Sequence, residues 1–140
     1  MASLAKTYKE LRLLHFAFVL TWFLFILCIQ VVKPQARTVQ PMVFYALAVV
    51  VITDVAVGVA LRKKRVDAPM EVLRREPENA RALTQWRVGN IFLFAQAETV
   101  TLFGVALKFL GANWSVAGIF FFLGLVLMLL WTPRLDVAGA

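Results

Sequence analysis

The stretch Asn90–Leu110, "NIFLFAQAETVTLFGVALKFL", decides how this chain is read. It is long and apolar enough to cross a bilayer, yet it carries an acid, Glu98, close to its centre. About twenty consecutive apolar residues make a helix about 30 Å long, the thickness of a hydrocarbon core. Three further windows of that length flank it. The set is Leu13–Val32, Met42–Leu61, Val88–Leu107 and Ala112–Trp131. The first and last hold no formal charge, the second holds only Asp54 and the third only Glu98.

With 140 residues, 61% of them hydrophobic, the chain is more apolar than a soluble domain, where roughly 45–50% is usual. Mean hydropathy is +0.79. In lipid every backbone polar group must be paired internally, which leaves helices or closed barrels. Continuous runs such as "FAFVLTWFLFILCI" lack the alternation of barrel strands. The expected fold is therefore an all-α bundle of four transmembrane helices, one integral membrane domain made of two antiparallel hairpins. The outer turns "KPQARTVQP" and "GANW" are short, and a longer connection spans residues 62–87.

Basic residues set the expected orientation. Lys6, Lys9 and Arg12 precede the first window, and Arg134 follows the last. Eight of the fifteen Lys and Arg lie between Arg62 and Arg87, and only Lys33, Arg37 and Lys108 fall in the short turns. The positive-inside rule places both termini and the 62–87 connection in the cytoplasm. The localisation expected is multi-pass, in a bacterial inner membrane. Tyr45 and Trp114 would sit in the outer aromatic belt, and Trp86 and Trp131 in the inner one. The first window is longer than the apolar core of a secretory signal, and no small-x-small cleavage site follows "CIQVV", so it reads as an uncleaved span.

The net charge of +7 fits attraction to anionic lipid. It does not point to nucleic acid, because the basic residues lie where topology already requires them. Cys28 is the single cysteine, which excludes a disulfide framework and suggests packing. His15 is the single histidine, without a second ligand at matching depth, so a hydrogen-bonded side chain is expected rather than haem or metal. No cofactor is expected. Thiol–histidine pairs, phosphate-binding glycine loops and serine triads are missing from the sequence, so no catalytic constellation is expected either. "IFFFLG" reads as lipid-facing packing.

In the 62–87 connection, Pro77 is placed to open a helix, with Glu78 complementing its dipole, and "PENARALTQW" should run straight into the third span. A faint repeat relates the halves. Arg12, His15 and Lys33 share the mutual spacing of Arg87, Asn90 and Lys108, and "RVD" (Arg65–Asp67) matches "RLD" (Arg134–Asp136).

A charge at the bilayer midplane costs roughly 2.5–3.5 kcal/mol on insertion scales. Glu98 avoids that cost by staying protonated, and a carboxyl that gains and loses a proton there can carry a proton or a small cation. The other reading is a structural acid hydrogen-bonded to a neighbour, with Thr101 one turn away and Gln96 nearby as supporting polar groups. Asp54 lies within about one helical turn of the same depth. It would either pair with Glu98 or reach water or Arg62. Small residues in "DVAVGVA", with Ala56 and Ala60 one turn apart, and Gly104 in the third window, would permit close helix approach.

"RREPENA", Arg74–Ala80, resembles the polar loop of the rotor-ring proteolipids, the c-type subunits of rotary ATPases. "AETVTLFGVALKFL", Ala97–Leu110, resembles that family's ion-binding helix, with Glu98 ahead of Phe103 and Gly104. The resemblance implies an ion-carrying Glu98, a loop at Arg75, Pro77 and Glu78 that contacts a rotor stalk, and assembly as a homo-oligomer. The second window departs from the family's glycine-rich inner helix, with Gly58 its only glycine. The alternative is a non-catalytic accessory subunit of a larger membrane complex. Under either reading the surroundings are the lipid bilayer and other membrane subunits.

Overall fold

The computed structural model describes residues 3–35 and 37–135. Helix α1 is Leu4–Val32, α2 Pro41–Arg62, α3 Ala68–Arg75, α4 Ala80–Phe109 and α5 Trp114–Leu130. The described residues contain no strand. Three stretches are long and apolar enough to cross a membrane: α1, α4, and Pro41–Arg75, which joins α2 to α3. Helix α5 is apolar throughout but has 17 residues, at the short end of the spanning range.

Local chemistry sets the boundaries. Ser3, Asn79 and Asn113 cap α1, α4 and α5, each side chain accepting a backbone N–H three residues on. Pro41 opens α2, where its missing N–H leaves nothing unpaired. In the turn between α4 and α5, Gly111 adopts φ +102°, a region closed to most side chains. Its carbonyl accepts from the Arg37 backbone N–H at 3.1 Å, tying the α1–α2 and α4–α5 turns together.

Segment 62–87, expected as a connection, is mostly helical. After Arg62 the chain widens into a π turn, Lys63–Asp67, in which the Ala68 N–H reaches back to the Lys63 carbonyl. Pro69 supplies a reason, since its ring would clash with the Arg65 carbonyl in a regular α-helix. Helix α3 then lays Met70 and Leu73 onto α4 and leaves Glu71 and Arg75 outside. Pro77 does not open α4. The Asn79 N–H bonds the Glu76 carbonyl at 3.1 Å, so Pro77 and Glu78 are the middle of a turn and Asn79 becomes the cap. From Ala80 the helix is unbroken for 30 residues, as the missing breaker predicted.

Helix α4 is the hub. It packs against α1, α2, α3 and α5. The first expected hairpin does not close on itself: no Cα of α1 comes within 8 Å of a Cα of α2. The two sit on different faces of α4, each gaining more from that helix than from its sequence neighbour. Side chains of α1 step along α4 in the same order, Glu10 beside Arg87 and His15 beside Phe94. One apolar core lies between α4, α5 and the middles of α1 and α2, built on Leu93, Ala97, Val100, Phe120, Phe121 and Met128. A second, at the end where α3 sits, gathers Leu11, Leu73, Leu83, Trp86 and Phe94.

Several aromatic placements are revised. Trp86 and Trp131 are buried inside the protein, 1% and 4% exposed, rather than in an interfacial belt. Phe120 and Phe121 belong to the core, and within "IFFFLG" it is Ile119 and Phe122 that face outward. Tyr45 and Trp114 are exposed as expected. Cys28 is exposed rather than packed. Of the repeat pair "RVD" and "RLD", Asp136 lies outside the described residues.

Candidate functional site

The polar residues of the spanning helices converge on α4. Its buried positions include Asn90, Gln96, Glu98 and Thr101. At 3.6 residues per turn, positions two apart point to nearly opposite sides, so Gln96 and Glu98 serve different neighbours.

Gln96 faces α2. Its Nε2 donates to Asp54 Oδ1 at 3.1 Å and to the Asp54 carbonyl at 3.2 Å. Gly58 makes room for this, because a Cβ there would lie 2.8 Å from Gln96 Oε1 and 2.7 Å from the Trp131 ring. Close approach on α2 therefore depends on Gly58, while Ala56 and Ala60 face outward. The pair is only partly satisfied: Asp54 Oδ2 and Gln96 Oε1 are buried without a partner among the described residues.

Glu98 lies on the opposite face, one turn beyond Phe94, whose ring meets His15 at 5.1 Å and Phe18 at 5.9 Å. That side belongs to α1. Both carboxyl oxygens of Glu98 are shut away from the surface with no hydrogen-bond partner among the described residues. The proposed Asp54–Glu98 pair is not formed. Asp54 meets α4 on the face that carries Gln96, its partner, while Glu98 lies on the opposite face of the same helix. Thr101 does not serve Glu98 either. Its hydroxyl donates to the Ala97 carbonyl at 3.3 Å and packs at Gly124 of α5. Gly104 fits the expectation, bringing the Ala117 carbonyl and Phe121 ring close to α4.

His15 is hydrogen-bonded, as its isolation implied. Its Nε2 lies 2.8 Å from the Met128 carbonyl, which requires that nitrogen to carry the proton. Trp22 Nε1 donates to the Phe121 carbonyl at 2.9 Å and Arg62 Nη1 to that of Leu130 at 3.0 Å. Three side chains thus anchor α5 through its backbone. No cluster of His, Cys, Asp and Glu suited to a metal occurs among the described residues.

The loop residues stand at the surface. Arg75 Nη2 reaches Glu71 Oε1 at 3.4 Å, and Pro77 and Glu78 form the exposed α3–α4 turn. Sequence reasoning missed a cavity between the end of α2, α3, α4 and the chain leaving α5, about 310 Å³, lined by Arg62, Asp67, Glu71, Arg74 and Arg134, with Trp86 and Trp131 also in its wall. Its arginines had been read for topology alone, and no linear motif marks their convergence. At the other end a more open space of about 610 Å³ lies between the outer turns, lined by Val39, Phe44, Tyr45 and Val116 among others. Neither cavity is lined by Glu98 or Asp54.

Comparison with family models, with curated proteins and with solved structures gave no match.

Proposed function

We propose that this chain is a small multi-pass membrane protein that handles a proton or a small cation at Glu98, as a subunit of a larger assembly. The observation that carries this reading is the isolation of that carboxyl, with both oxygens buried and unpartnered. A purely structural acid would have acquired a donor, since buried polar groups are paired in the great majority of cases. An unpaired carboxyl in this position is held as the neutral acid and ionises only when a cation or a proton acceptor is brought to it. The rotor-proteolipid resemblance supports the same residue, and its further implications of a ring and a stalk-facing turn at Arg75, Pro77 and Glu78 form part of the proposal. Four crossings, with α5 as the shortest, and both termini on the cytoplasmic side complete it. Exposed threonines fit a lipid environment. Thr21, Thr53 and Thr99 each donate to the carbonyl four residues earlier, so none of these three hydroxyls is left unpaired toward hydrocarbon.

A second reading, that of a non-catalytic accessory subunit, is favoured by a separate observation. Both described cavities bypass Glu98, so the single chain offers that carboxyl no wet path through either. Glu98→Gln distinguishes the two. In vesicles containing the native assembly, the first reading expects proton or cation flux to fall by at least tenfold while the protein stays folded. Unchanged flux would leave the accessory reading standing. A hydrophobic carbodiimide, which reacts with protonated carboxyls, should label the native chain and not the variant.

A further inference from the structure

The cavity walled by Arg62, Arg74 and Arg134 has a composition that the membrane-spanning role does not explain. Four elements build it: the end of α2 with the π turn, helix α3, helix α4, and the chain leaving α5. Its wall brings three arginines, Arg62, Arg74 and Arg134, together with two acids, Asp67 and Glu71. The acids are already engaged. Asp67 Oδ1 lies 3.9 Å from Arg62 Nε, and Glu71 receives Arg74 Nη1 at 3.2 Å and Arg75 Nη2 at 3.4 Å. Arg75 stands outside the lining, so it neutralises Glu71 without filling the cavity. Arg134 is exposed and makes no ion pair or hydrogen bond among the described residues.

Neutral donors are in excess as well. Trp86 and Trp131 carry indole N–H groups that only donate, and neither has a hydrogen-bond partner among the described residues. Asn90 gives one amide hydrogen to the Trp86 carbonyl at 2.8 Å and keeps a second. A space of about 310 Å³ whose described lining residues carry more positive than negative charge and several unmatched N–H groups suits a compact oxyanion.

We propose that this cavity binds a phosphate group, with Arg134 and Arg62 as its charged ligands and the tryptophan N–H groups as neutral ones. Position favours the headgroup of an anionic lipid, because the cavity opens where the apolar spans end, and basic pockets there suit such headgroups. Free phosphate shares the chemistry, and the test separates the two sources.

The purified full-length chain in neutral detergent is titrated with short-chain phosphatidic acid and, in parallel, with the matching diacylglycerol, which lacks only the phosphate. Native mass spectrometry counts what is bound. Saturable binding of one phosphatidic acid, with the diacylglycerol at least tenfold weaker, is the expected result. Arg134→Gln should weaken phosphatidic acid binding by about tenfold, the scale of a charge-assisted hydrogen bond. Arg81→Gln, which removes an exposed charge outside this wall, should leave it within twofold. Circular dichroism checks that both variants keep their helix content. Displacement of the lipid by millimolar inorganic phosphate would make free phosphate a ligand in its own right. Failure to displace would mean that the acyl chains are needed to hold the headgroup. Equal binding of the two lipids, or equal losses from Arg134→Gln and Arg81→Gln, would overturn the site and leave only general surface charge.

Discussion

Helices α1 and α4 are nearly the same length, 29 and 30 residues, and share a faint pattern of basic and polar positions, yet their fates differ. Half of the most apolar stretch of α4 is buried within the protein, against 6% for α1. The less apolar helix is the inner one. In water that order would be perverse, because burial there follows hydrophobicity. In lipid the outside is as apolar as leucine, so apolar surface gains little by turning inward, whereas polar groups lose heavily by facing out. Asn90, Gln96, Glu98 and Thr101 therefore draw α4 to the centre, and α1 is left with Leu13, Phe16, Phe23 and Leu27 on its exposed side.

The contrast can be broken from the α4 side first. Gly124 of α5 sits directly against Thr101 and the Ala97 carbonyl, so Gly124→Leu should separate α5 from the hub. Overpacking of this kind costs about 3 kcal/mol or more when backbone must move. Loss of a cooperative thermal transition in detergent is the expected sign. A variant that melts like the parent would mean that the α4–α5 seam is not the core.

A smaller effect is expected at Phe94, fully buried between His15 and Phe18. Phe94→Ala should cost about 2–3 kcal/mol, somewhat under the value for a soluble core because lipid takes up part of the transfer term. Denaturant titration reads it directly. The same truncation on α1, Phe23→Ala, should change stability by less than about 0.5 kcal/mol, since that ring is 56% exposed. Equal losses at the two sites would show that α1 is covered by something equivalent to α4.

Weaker still are single hydrogen bonds. Replacing His15 by Phe keeps the ring against Phe94 and removes the bond to the Met128 carbonyl, for an expected loss of about 1 kcal/mol. Gln96→Leu should change stability least on this side, by about 0.6 kcal/mol, the average of interhelical polar contacts in a membrane protein. A double-mutant cycle with Asp54→Asn measures whether the Gln96–Asp54 contact is a real coupling. A coupling of zero would free Asp54 to meet another group.

The candidate site was legible in part. Glu98 announced itself as an acid in an apolar run and is buried there, but the partners offered for it, Thr101 and Asp54, are engaged elsewhere. The pairing of Asp54 with Glu98 was drawn from depth alone. Depth is a one-dimensional coordinate, and two residues at the same level meet only if they also share a face. Pro77 misled for a related reason. Proline opens a helix or sits second in a turn with equal ease, and Asn79 two residues later was the stronger cap.

By itself, the sequence determined that the described chain is helical, that α1, α2 and α4 are long and apolar enough to cross a membrane, and that Glu98 sits deep within one of them. Those properties follow from composition and run length, which act residue by residue along one helix. The tertiary structure alone decided that α4 is the hub, that α1 and α2 stand apart, and that arginines from α2, α3 and the α5 exit surround one cavity. Such outcomes depend on which helix faces meet. That is settled by small residues such as Gly58 and Gly124 and by a few side-chain donors onto the α5 backbone. Residues far apart in the chain supply them, and no local pattern encodes their meeting.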